Sequence, residues 1–454
     1  MSLPLTFDPV SNGEYLPPRK TSKHAEMEAR AWTLAEQGIR RTGMDRREFL
    51  RSSCGMAACL MAINGATASA AGSYDLPREA ALDPAAADSI LAGDEFIFDI
   101  QTHHVMPPKP GWAMGGRYEF VKEIFLDSDT TCAVLSALPA VEEKQPLPQA
   151  EAEVTREIIE QLAGSPRLWV HALVTPNYGD VKRHLEGMER VSKKYKIAAW
   201  KTYTLLAEGG KGYWHHDEEV GILVIEKARE LGIKLLCTHK GFPFGKLNDR
   251  YDTPRDIGVV AKRFPDMKFI VYHSGFIPKI AEGPYDPAKA DEGVNCLIKS
   301  VEDHGLKPGS NVYAELGSTW WNLMKKPDQA AHVLGKLLKA FGEDNVLWGT
   351  DCLWYGSPQA QIAAFRAFQI GPELREKHGY PELTKELKAK ILGLSSAKVY
   401  GIEPKRDLPK IRKDDVEKLK QSYLPHRDPS HKVYGPRTRR EFLELIQRRG
   451  GQPA

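Results

Sequence analysis

Histidine and aspartate residues stand at the ends of several apolar runs in the sequence. One run ends in Asp99-Ile100-Gln101-Thr102-His103-His104, a second in His239, a third in His273 and a fourth in Asp351. Imidazole nitrogens and carboxylate oxygens are the usual ligands of a catalytic Zn²⁺, Mn²⁺ or Fe²⁺ that keeps one coordination position open. A lone histidine is more often structural than a ligand. Three histidines and an aspartate, each at the end of a predicted strand, together indicate a metal site.

The elements that must position these residues follow from an alternation of strand-like and helical patterns after Glu95. Short runs rich in β-branched and aromatic residues predict parallel strands, and the amphipathic stretches between them predict crossover helices. The predicted strands are 96–103, 131–138, 168–174, 197–204, 233–239, 267–273, 311–316 and 345–350. The helices predicted between them are 151–164, 180–195, 217–231, 255–264, 288–304 and 327–342.

Eight strands joined by right-handed crossovers predict an α/β fold, a (βα)₈ TIM-type barrel. The alternative is a doubly wound open sheet, but no Gly-rich phosphate-binding turn follows the first predicted strand. A barrel places its active site at the C-terminal ends of its strands, where these histidines and Asp351 stand. Because side chains alternate along a strand, Gln101 and His103 are expected to share one side and His104 the other.

These motifs resemble those of the metal-dependent amidohydrolase superfamily, specifically the amidohydrolase-related group that includes nonoxidative decarboxylases of aromatic and unsaturated acids. The resemblance covers residues 95–403. It rests on the motif at the first strand, His239, His273-Ser-Gly, Gly-Thr-Asp351, and the segment 391–402, which is similar to the family's closing helix.

The resemblance implies one divalent metal ion, bound by His103, His239 and Asp351. Gln101 stands where the family has its first histidine, so it is expected to be a weaker ligand or a hydrogen-bond donor behind the ligands. Zn²⁺ is the expected metal, with Mn²⁺ as the alternative because an amide oxygen is a harder ligand than imidazole. His273 is implied as the base or electrophile, and Asp351 as the group that accepts a proton and passes it on.

The predicted activity is that of a metal-dependent hydrolase that uses metal-activated water on a small organic molecule, such as an aromatic, lactone or amide substrate. The first alternative is a nonoxidative decarboxylase, or carboxy-lyase, on the same scaffold. A second alternative is a catalytically degenerate protein that only binds a ligand, suggested by Gln101. Lys201 is a candidate for binding a substrate carboxylate, and Trp320 and Trp354 are candidates for an aromatic lining of the pocket.

Composition limits the classes of partner. The chain has 63 basic and 60 acidic side chains and a formal net charge of +3, so no domain-wide basic field indicates nucleic acid. A small-molecule substrate is therefore expected. The six cysteines show no paired spacing, and no disulfide framework is predicted.

The N-terminal region resembles a bacterial twin-arginine signal. Arg46 and Arg47 precede Phe49-Leu50, and an uncharged run 54–71 ends in an Ala-rich stretch where A-x-A cleavage and removal of the segment are expected. The run is too weakly apolar for a stable membrane anchor. This pattern predicts recognition by the twin-arginine export machinery and a periplasmic or secreted location, or a cytoplasmic one if the signal is not used.

The predicted organisation has four parts. Residues 1–44 are expected to be a polar, disordered leader, 45–71 the signal segment, 95–403 the barrel and 404–454 a charged C-terminal extension. The extension is expected to wrap the barrel or to pack in a homo-oligomer, and a solvated tail is the alternative.

Overall fold

Eight parallel strands form a barrel, as the sequence predicts. The computed structural model describes residues 2–67, 71–106, 114–140, 144–205, 212–243 and 249–448. Within them, strand β1 (Gly72–Tyr74) precedes the barrel and β10 (Phe368–Ile370) follows it. The barrel strands are β2 (Phe98–Thr102), β3 (Cys132–Leu135), β4 (Leu168–Leu173), β5 (Ala199–Tyr203), β6 (Leu235–His239), β7 (Lys268–Tyr272), β8 (Val312–Glu315) and β9 (Val346–Leu347).

The barrel strands pair in chain order, each parallel to the next, from β2 to β9. The ring closes between its last and first strands, because the Ile100 N–H donates to the Trp348 carbonyl at 3.1 Å. Just beyond, Thr102 forms a parallel bridge with Cys352. All C-terminal strand ends therefore meet at one mouth, where a barrel places its chemistry.

Helices cover the outside of the barrel and build the regions before and after it. They are α1 (Ser22–Thr42), α2 (Arg46–Arg51), α3 (Ser53–Thr67), α4 (Pro84–Leu91), α5 (Arg117–Val121), α6 (Gln149–Ala163), α7 (Val181–Lys194), α8 (Gly221–Glu230), α9 (Asp249–Asp252), α10 (Ile257–Arg263), α11 (Gly293–Asp303), α12 (Thr319–Leu323), α13 (Pro327–Phe341), α14 (Gln359–Ala367), α15 (Pro372–His378), α16 (Lys385–Ala389), α17 (Ser395–Tyr400), α18 (Pro404–Ile411), α19 (Asp415–Tyr423) and α20 (Arg439–Arg448). Short 3₁₀ or π turns lie at Lys122–Leu126, Pro254–Asp256, His273–Gly275, Pro287–Lys289, Lys390–Leu394 and Leu424–His426.

Helix α13 shows why the crossover helices could be predicted. Pro327 stands at its first position, where a missing N–H costs nothing, and Gly342 follows its last residue. Ala330, Leu334 and Leu337 are buried along one side at the spacing of a helical face. That face packs against β8 and β9, so α13 holds the strands that carry part of the mouth.

Residues 2–44 are folded, which corrects the expectation of a disordered leader. Leu5 and Phe7 are buried, and α1 begins after the capping residue Thr21 and ends at Gly43 in a left-handed conformation. Alternating apolar residues before Asp8 supply the buried contacts. The many charges in α1 hid this pattern in the sequence, because only one narrow side of that helix is buried.

Helix α3 coincides with the apolar run that the sequence analysis assigned to a signal. Its residues from Cys54 to Leu60 are all buried, and the helix packs against α1, α2 and α4. A helix that is apolar on every side must be buried in a protein core or in a membrane. Among the described residues, no helix is long and apolar enough to cross a bilayer. The expected cleavage stretch falls partly on 68–70, which lie outside the described residues.

The C-terminal extension wraps the barrel rather than forming a solvated tail. Arg167 and Asp414, both almost fully buried, form a bidentate pair with Nε–Oδ2 and Nη2–Oδ1 distances of 2.5 and 2.7 Å. Farther along, the N–H groups of Tyr434 and Gly435 both donate to the Trp354 carbonyl beside the barrel mouth. Residues 449–454 of the extension lie outside the described part of the chain. The homo-oligomer stays a prediction.

Candidate metal centre

Five residues predicted for the metal centre meet at the mouth of the barrel. They are Gln101, His103, His239, His273 and Asp351, and each is at most 2% exposed. Gln101 lies near the end of β2, His103 directly after it, His239 ends β6, His273 follows β7, and Asp351 follows β9. The centroids of the His239 and His273 rings are 4.8 Å apart.

His103 is fixed from behind by the end of the neighbouring strand. Its Nδ1 lies 2.8 Å from the carbonyl oxygen of Ser136, which can only accept, so Nδ1 carries the proton. This leaves the Nε2 lone pair on the other side of the ring, 3.0 Å from Asp351 Oδ1. A backbone acceptor that sets the tautomer is the arrangement common to metal-binding histidines.

His273 is held in the same way. Its Nδ1 donates to the Gly317 carbonyl at 2.7 Å, and its backbone N–H donates to Glu315 Oε2 at 3.0 Å. Its Nε2 is buried, carries the lone pair, and has no hydrogen-bond partner among the described residues. Burial lowers the His273 pKa to about 4, so the ring is neutral at physiological pH and able to bind a metal or accept a proton.

Asp351 has its carboxylate fixed by several neighbours. The residue adopts a left-handed conformation with φ of 60°, and its N–H donates to the Gln101 carbonyl at 2.8 Å. Its Oδ2 accepts hydrogen bonds from the Ser318 hydroxyl and from Asn12 Nδ2, the latter at 2.9 Å. Burial acts to raise the Asp351 pKa, but the neighbouring His103 and His273 rings and the hydrogen bond from Ser318 outweigh it, and the pKa is lowered. The group is therefore ionised at neutral pH.

Glu14, which the sequence analysis did not identify, lies beside these residues. Its Oε1 is 3.7 Å from His239 Nδ1, and one potential ligand atom each from Glu14, His239 and His273 lie within 4.8 Å of one another. Glu14 belongs to the N-terminal segment that was expected to be disordered. No sequence pattern near Glu14 marks it as a ligand, because its partners lie hundreds of positions away.

Lys201 points its ammonium group into the core of the barrel. The residue is fully buried, and Nζ has no hydrogen-bond partner within the described chain. Nζ lies 3.6 Å from the centre of the Tyr272 ring and 4.6 Å from that of Tyr203, two cation–π contacts. Burial lowers the Lys201 pKa to about 8, which leaves it charged at neutral pH.

The donor set suits a divalent cation. Gln101 Oε1 and His273 Nε2 are buried acceptors without hydrogen-bond partners in the described residues, and such atoms are costly unless a ligand satisfies them. Two neighbouring ligand atoms, each about 2.1 Å from one ion, stand about 3.0 Å apart in octahedral geometry, or about 3.4 Å in tetrahedral geometry. The distance of 3.0 Å between His103 Nε2 and Asp351 Oδ1 agrees with the octahedral value. Imidazole, carboxylate and amide donors fit Zn²⁺ and Mn²⁺ alike.

The two predicted pocket tryptophans differ in their surroundings. Trp320 is buried, its Nε1 donates to the Gln361 carbonyl at 3.0 Å, and its ring packs on Phe365 and Phe368. The ring of Trp320 therefore has packing partners, and its contact with substrate stays a prediction. Trp354 is buried in the loop after Asp351, and its contact with substrate stays a prediction.

A family model described as amidohydrolase matches residues 100–402 of the chain. The chain belongs to the amidohydrolase family. The match spans the barrel from β2 to the segment after α17, including every candidate ligand except Glu14. No curated protein matches this amidohydrolase.

Several solved structures are similar to this amidohydrolase. The 5-carboxyvanillate decarboxylase of Novosphingobium aromaticivorans, solved with manganese and 4-hydroxy-3-methoxy-5-nitrobenzoic acid, is 12% identical with a TM-score of 0.42; the match covers 69% of this chain and 99% of that one. The 2,6-dihydroxybenzoate decarboxylase from Rhizobium is 14% identical with a TM-score of 0.38, covering 68% and 99%. The 4-oxalomesaconate hydratase from Rhodopseudomonas palustris is 16% identical with a TM-score of 0.39, covering 73% and 100%.

Proposed function

We propose that this amidohydrolase is a metal-dependent hydrolase of small organic molecules. One observation carries the proposal: His273 presents a buried Nε2 lone pair at the same centre as the ionised Asp351. Two groups that can accept protons at neutral pH suit a reaction in which water must be deprotonated. A divalent metal held by His103, His239 and Asp351 would supply Lewis acidity and lower the pKa of water from about 15.7 toward 7.

The tautomer of His273 decides between its two possible roles, base and electrophile. The sequence allows His273 to be a base or an electrophile, but Nδ1 donates the only N–H of the neutral ring to the Gly317 carbonyl. Its Nε2 therefore cannot donate a hydrogen bond to a substrate carbonyl until it has accepted a proton itself. We assign His273 as the base that takes a proton from water and, once protonated, gives it to the leaving group, and Asp351 as the carboxylate that orients the water.

Lys201 supports a substrate that carries a carboxylate. An ammonium group buried without a hydrogen-bond partner costs free energy, which a bound anion would recover. The same observation favours a second candidate function, the nonoxidative decarboxylation of a small acid. In that reaction, the lysine and the metal would hold the acid while a proton is delivered to carbon.

Isotope labelling distinguishes the two reactions. We expect hydrolysis of an ester, lactone or amide panel, with one oxygen from ¹⁸O-labelled water in the product acid. A carboxy-lyase would instead release carbon dioxide from hydroxybenzoates and place deuterium from D₂O on the product carbon. Release of carbon dioxide without incorporation of ¹⁸O by hydrolysis would overturn the first proposal in favour of the second.

His273→Asn tests the assigned base. We expect kcat to fall by about 10²- to 10⁴-fold, the range for loss of a general acid–base group. His426, an exposed histidine of the C-terminal extension, provides the matched control His426→Asn, which should leave kcat unchanged. Full activity of His273→Asn would show that His273 is not the base.

Two further parts of the proposed function are the identity of the metal ion and the cellular location of the protein. We infer Zn²⁺, with Mn²⁺ as the alternative favoured by the oxygen donor of Gln101, and reconstitution with each ion tests this. Export by the twin-arginine machinery to the periplasm or outside the cell stays a prediction. Fractionation of producing cells tests it, and recovery of all the protein from the cytoplasm would contradict it.

A further inference from the structure

We propose that the N-terminal segment 9–15 is part of the active centre and that Glu14 supplies a carboxylate ligand to the metal in place of the histidine that Gln101 replaces. This inference rests on the proposed metal-dependent function. It also implies that the working enzyme keeps residues 2–67, since removal of a signal ending near residue 71 would remove Glu14.

The segment lies tightly between the C-terminal extension and the barrel mouth. The Ser11 N–H donates to the Pro436 carbonyl at 2.9 Å, and a Cβ on Gly435 would lie only 1.9 Å from the Ser11 carbonyl oxygen. Gly13 turns the chain with φ of 79°, a conformation that favours glycine. This turn brings the side chains of residues 12 and 14 to the same carboxylate and imidazole groups of the barrel.

Tyr15 anchors the end of the segment over the metal centre. Its hydroxyl lies 2.9 Å from the Val10 carbonyl and 3.1 Å from Asn322 Oδ1. Its ring packs on Phe242, with 5.2 Å between centroids, and Phe242 in turn packs on His273 at 4.9 Å. The segment is therefore fixed at both ends, by Ser11 and by Tyr15, with Glu14 held between them.

Asn12 orients the Glu14 carboxylate. Asn12 Nδ2 donates both to Glu14 Oε2 and to Asp351 Oδ2, and the Glu14 N–H donates to Asn12 Oδ1 at 3.2 Å. One amide thus holds two carboxylates side by side, with Glu14 Oε1 turned toward His239. A carboxylate placed this way, almost fully buried and near two imidazole rings, has the chemistry and position of a metal ligand.

Charge balance supports the same assignment. Burial of two neighbouring carboxylates is costly without cations, and Lys201 is one positive charge that acts on both. A divalent ion would supply the remaining compensation. Gln101 offers a weaker amide oxygen where the family has an imidazole, and its Oε1 is left without a hydrogen-bond partner within the described residues. A second carboxylate beside Asp351 restores donor strength to the site.

The alternative is that the segment blocks the mouth as an inhibitory pro-segment. In that case, Glu14 would occupy the substrate site, and its loss would free the centre without weakening the metal. The two cases differ in the metal affinity of the full-length protein, which does not depend on knowing the substrate.

The test is the affinity of full-length protein for Zn²⁺ and Mn²⁺, measured by competition with a chromogenic chelator, with elemental analysis and circular dichroism alongside. For Glu14→Gln, we expect metal affinity to fall by at least the roughly 10- to 100-fold typical for loss of a group supporting a metal ligand. Glu36, exposed on α1, gives the matched control Glu36→Gln, which should bind metal like wild type.

The double variant Glu14→Gln with Gln101→Glu restores one carboxylate with side chains of the same size. We expect the double variant to recover most of the metal affinity lost in Glu14→Gln. Such recovery would also show that the low affinity of Glu14→Gln was not caused by misfolding. Wild-type affinity in Glu14→Gln would overturn the inference while leaving the metal-dependent function intact. Failure of wild type itself to bind a divalent ion would overturn the proposed function instead.

The intact mass of the active protein from its producing cells provides an independent test. We expect the mass to include residue 14. An active protein that begins after residue 71 and holds metal as tightly as the full-length chain would overturn the inference.

Discussion

His103 Nε2 lies 3.0 Å from Asp351 Oδ1, and this contact joins the first and last strands of the barrel at its metal centre. Backbone hydrogen bonds accompany it, since the His103 N–H donates to the Cys352 carbonyl at 2.6 Å and the Leu353 N–H donates to the His103 carbonyl at 3.2 Å. The contacts that close the barrel therefore lie beside two of the candidate ligands. Substitutions that disturb the contacts between the first and last strands should affect both stability and metal binding.

Gly317→Ala should disturb the centre without removing any ligand. A Cβ at Gly317 would lie 2.0 Å from Gln101 Oε1 and 2.6 Å from Glu315 Oε1, so both side chains must move. Because overpacking of this kind costs about 1–3 kcal/mol, we expect a lower free energy of unfolding together with weaker metal binding. Gly283→Ala, which has open space around the added carbon, is the control. Chemical denaturation measures the difference, and equal stability of the two variants would contradict the crowded geometry.

Lys201→Met should stabilise the protein and weaken binding of an anionic substrate. Burial lowers the Lys201 pKa from 10.5 to about 8, so the charged form is destabilised in the fold. At pH 7, that shift corresponds to up to about 3 kcal/mol, less whatever the lost cation–π contacts contributed. We expect a higher Tm and a raised KM for acids, with little change in metal content. A lower Tm would show that the ammonium group has a partner that stabilises it.

The pH dependence of KM should reflect the same lysine. Wild-type Lys201 loses its proton as pH rises through about 8, so KM for an anionic substrate should increase above that pH. A divalent cation nearby disfavours the ammonium form, so the increase begins at or below this value. The Lys201→Met variant should show no such increase. An identical rise in the variant would assign it to another group.

Asp414→Asn should lower the free energy of unfolding of the protein, although Asp414 lies outside the barrel mouth. Asp414 pairs with Arg167 in a buried site and also caps α19 through the Glu417 N–H. Removal of one partner from a buried ion pair costs about 3–5 kcal/mol, because it leaves an unpaired charge. The adjacent Asp415 forms an exposed ion pair with Lys418, so Asp415→Asn should change stability by less than about 0.5 kcal/mol. Urea titration of the two variants measures this contrast.

The barrel could be predicted because each of its strands is a short run of β-branched and aromatic residues that can be recognised without its neighbours in space. All eight predicted strands are confirmed with boundary shifts of a few residues, and the six predicted crossover helices are present. The candidate ligands from the barrel, such as His239 and Asp351, could be predicted because they stand at the ends of those strands or a few residues beyond them. Their convergence then follows from barrel geometry alone.

Other parts of the centre could not be predicted, because they depend on contacts distant in sequence. Asn12 and Asp351 are separated by 339 positions, and nothing local marks either as a partner of the other. The apolar helix α3 has the composition of a signal and of a core helix alike, so only its packing distinguishes the two. The sequence around Trp320 does not indicate the direction in which its ring points. The tautomer of His273 depends on the Gly317 carbonyl, which comes from another strand's loop.

Metal analysis of wild type and Asp351→Asn shows whether these residues bind a divalent ion. After reconstitution with Zn²⁺ or Mn²⁺ and removal of excess ion, we predict about one divalent ion per wild-type chain. The variant should retain the fold, hold clearly less metal and lose activity, because it lacks a charged ligand. Less than about a tenth of an equivalent in wild type would rule out a catalytic metal held by these buried donors. Full metal content and full activity in Asp351→Asn would contradict the assignment of Asp351 as a ligand.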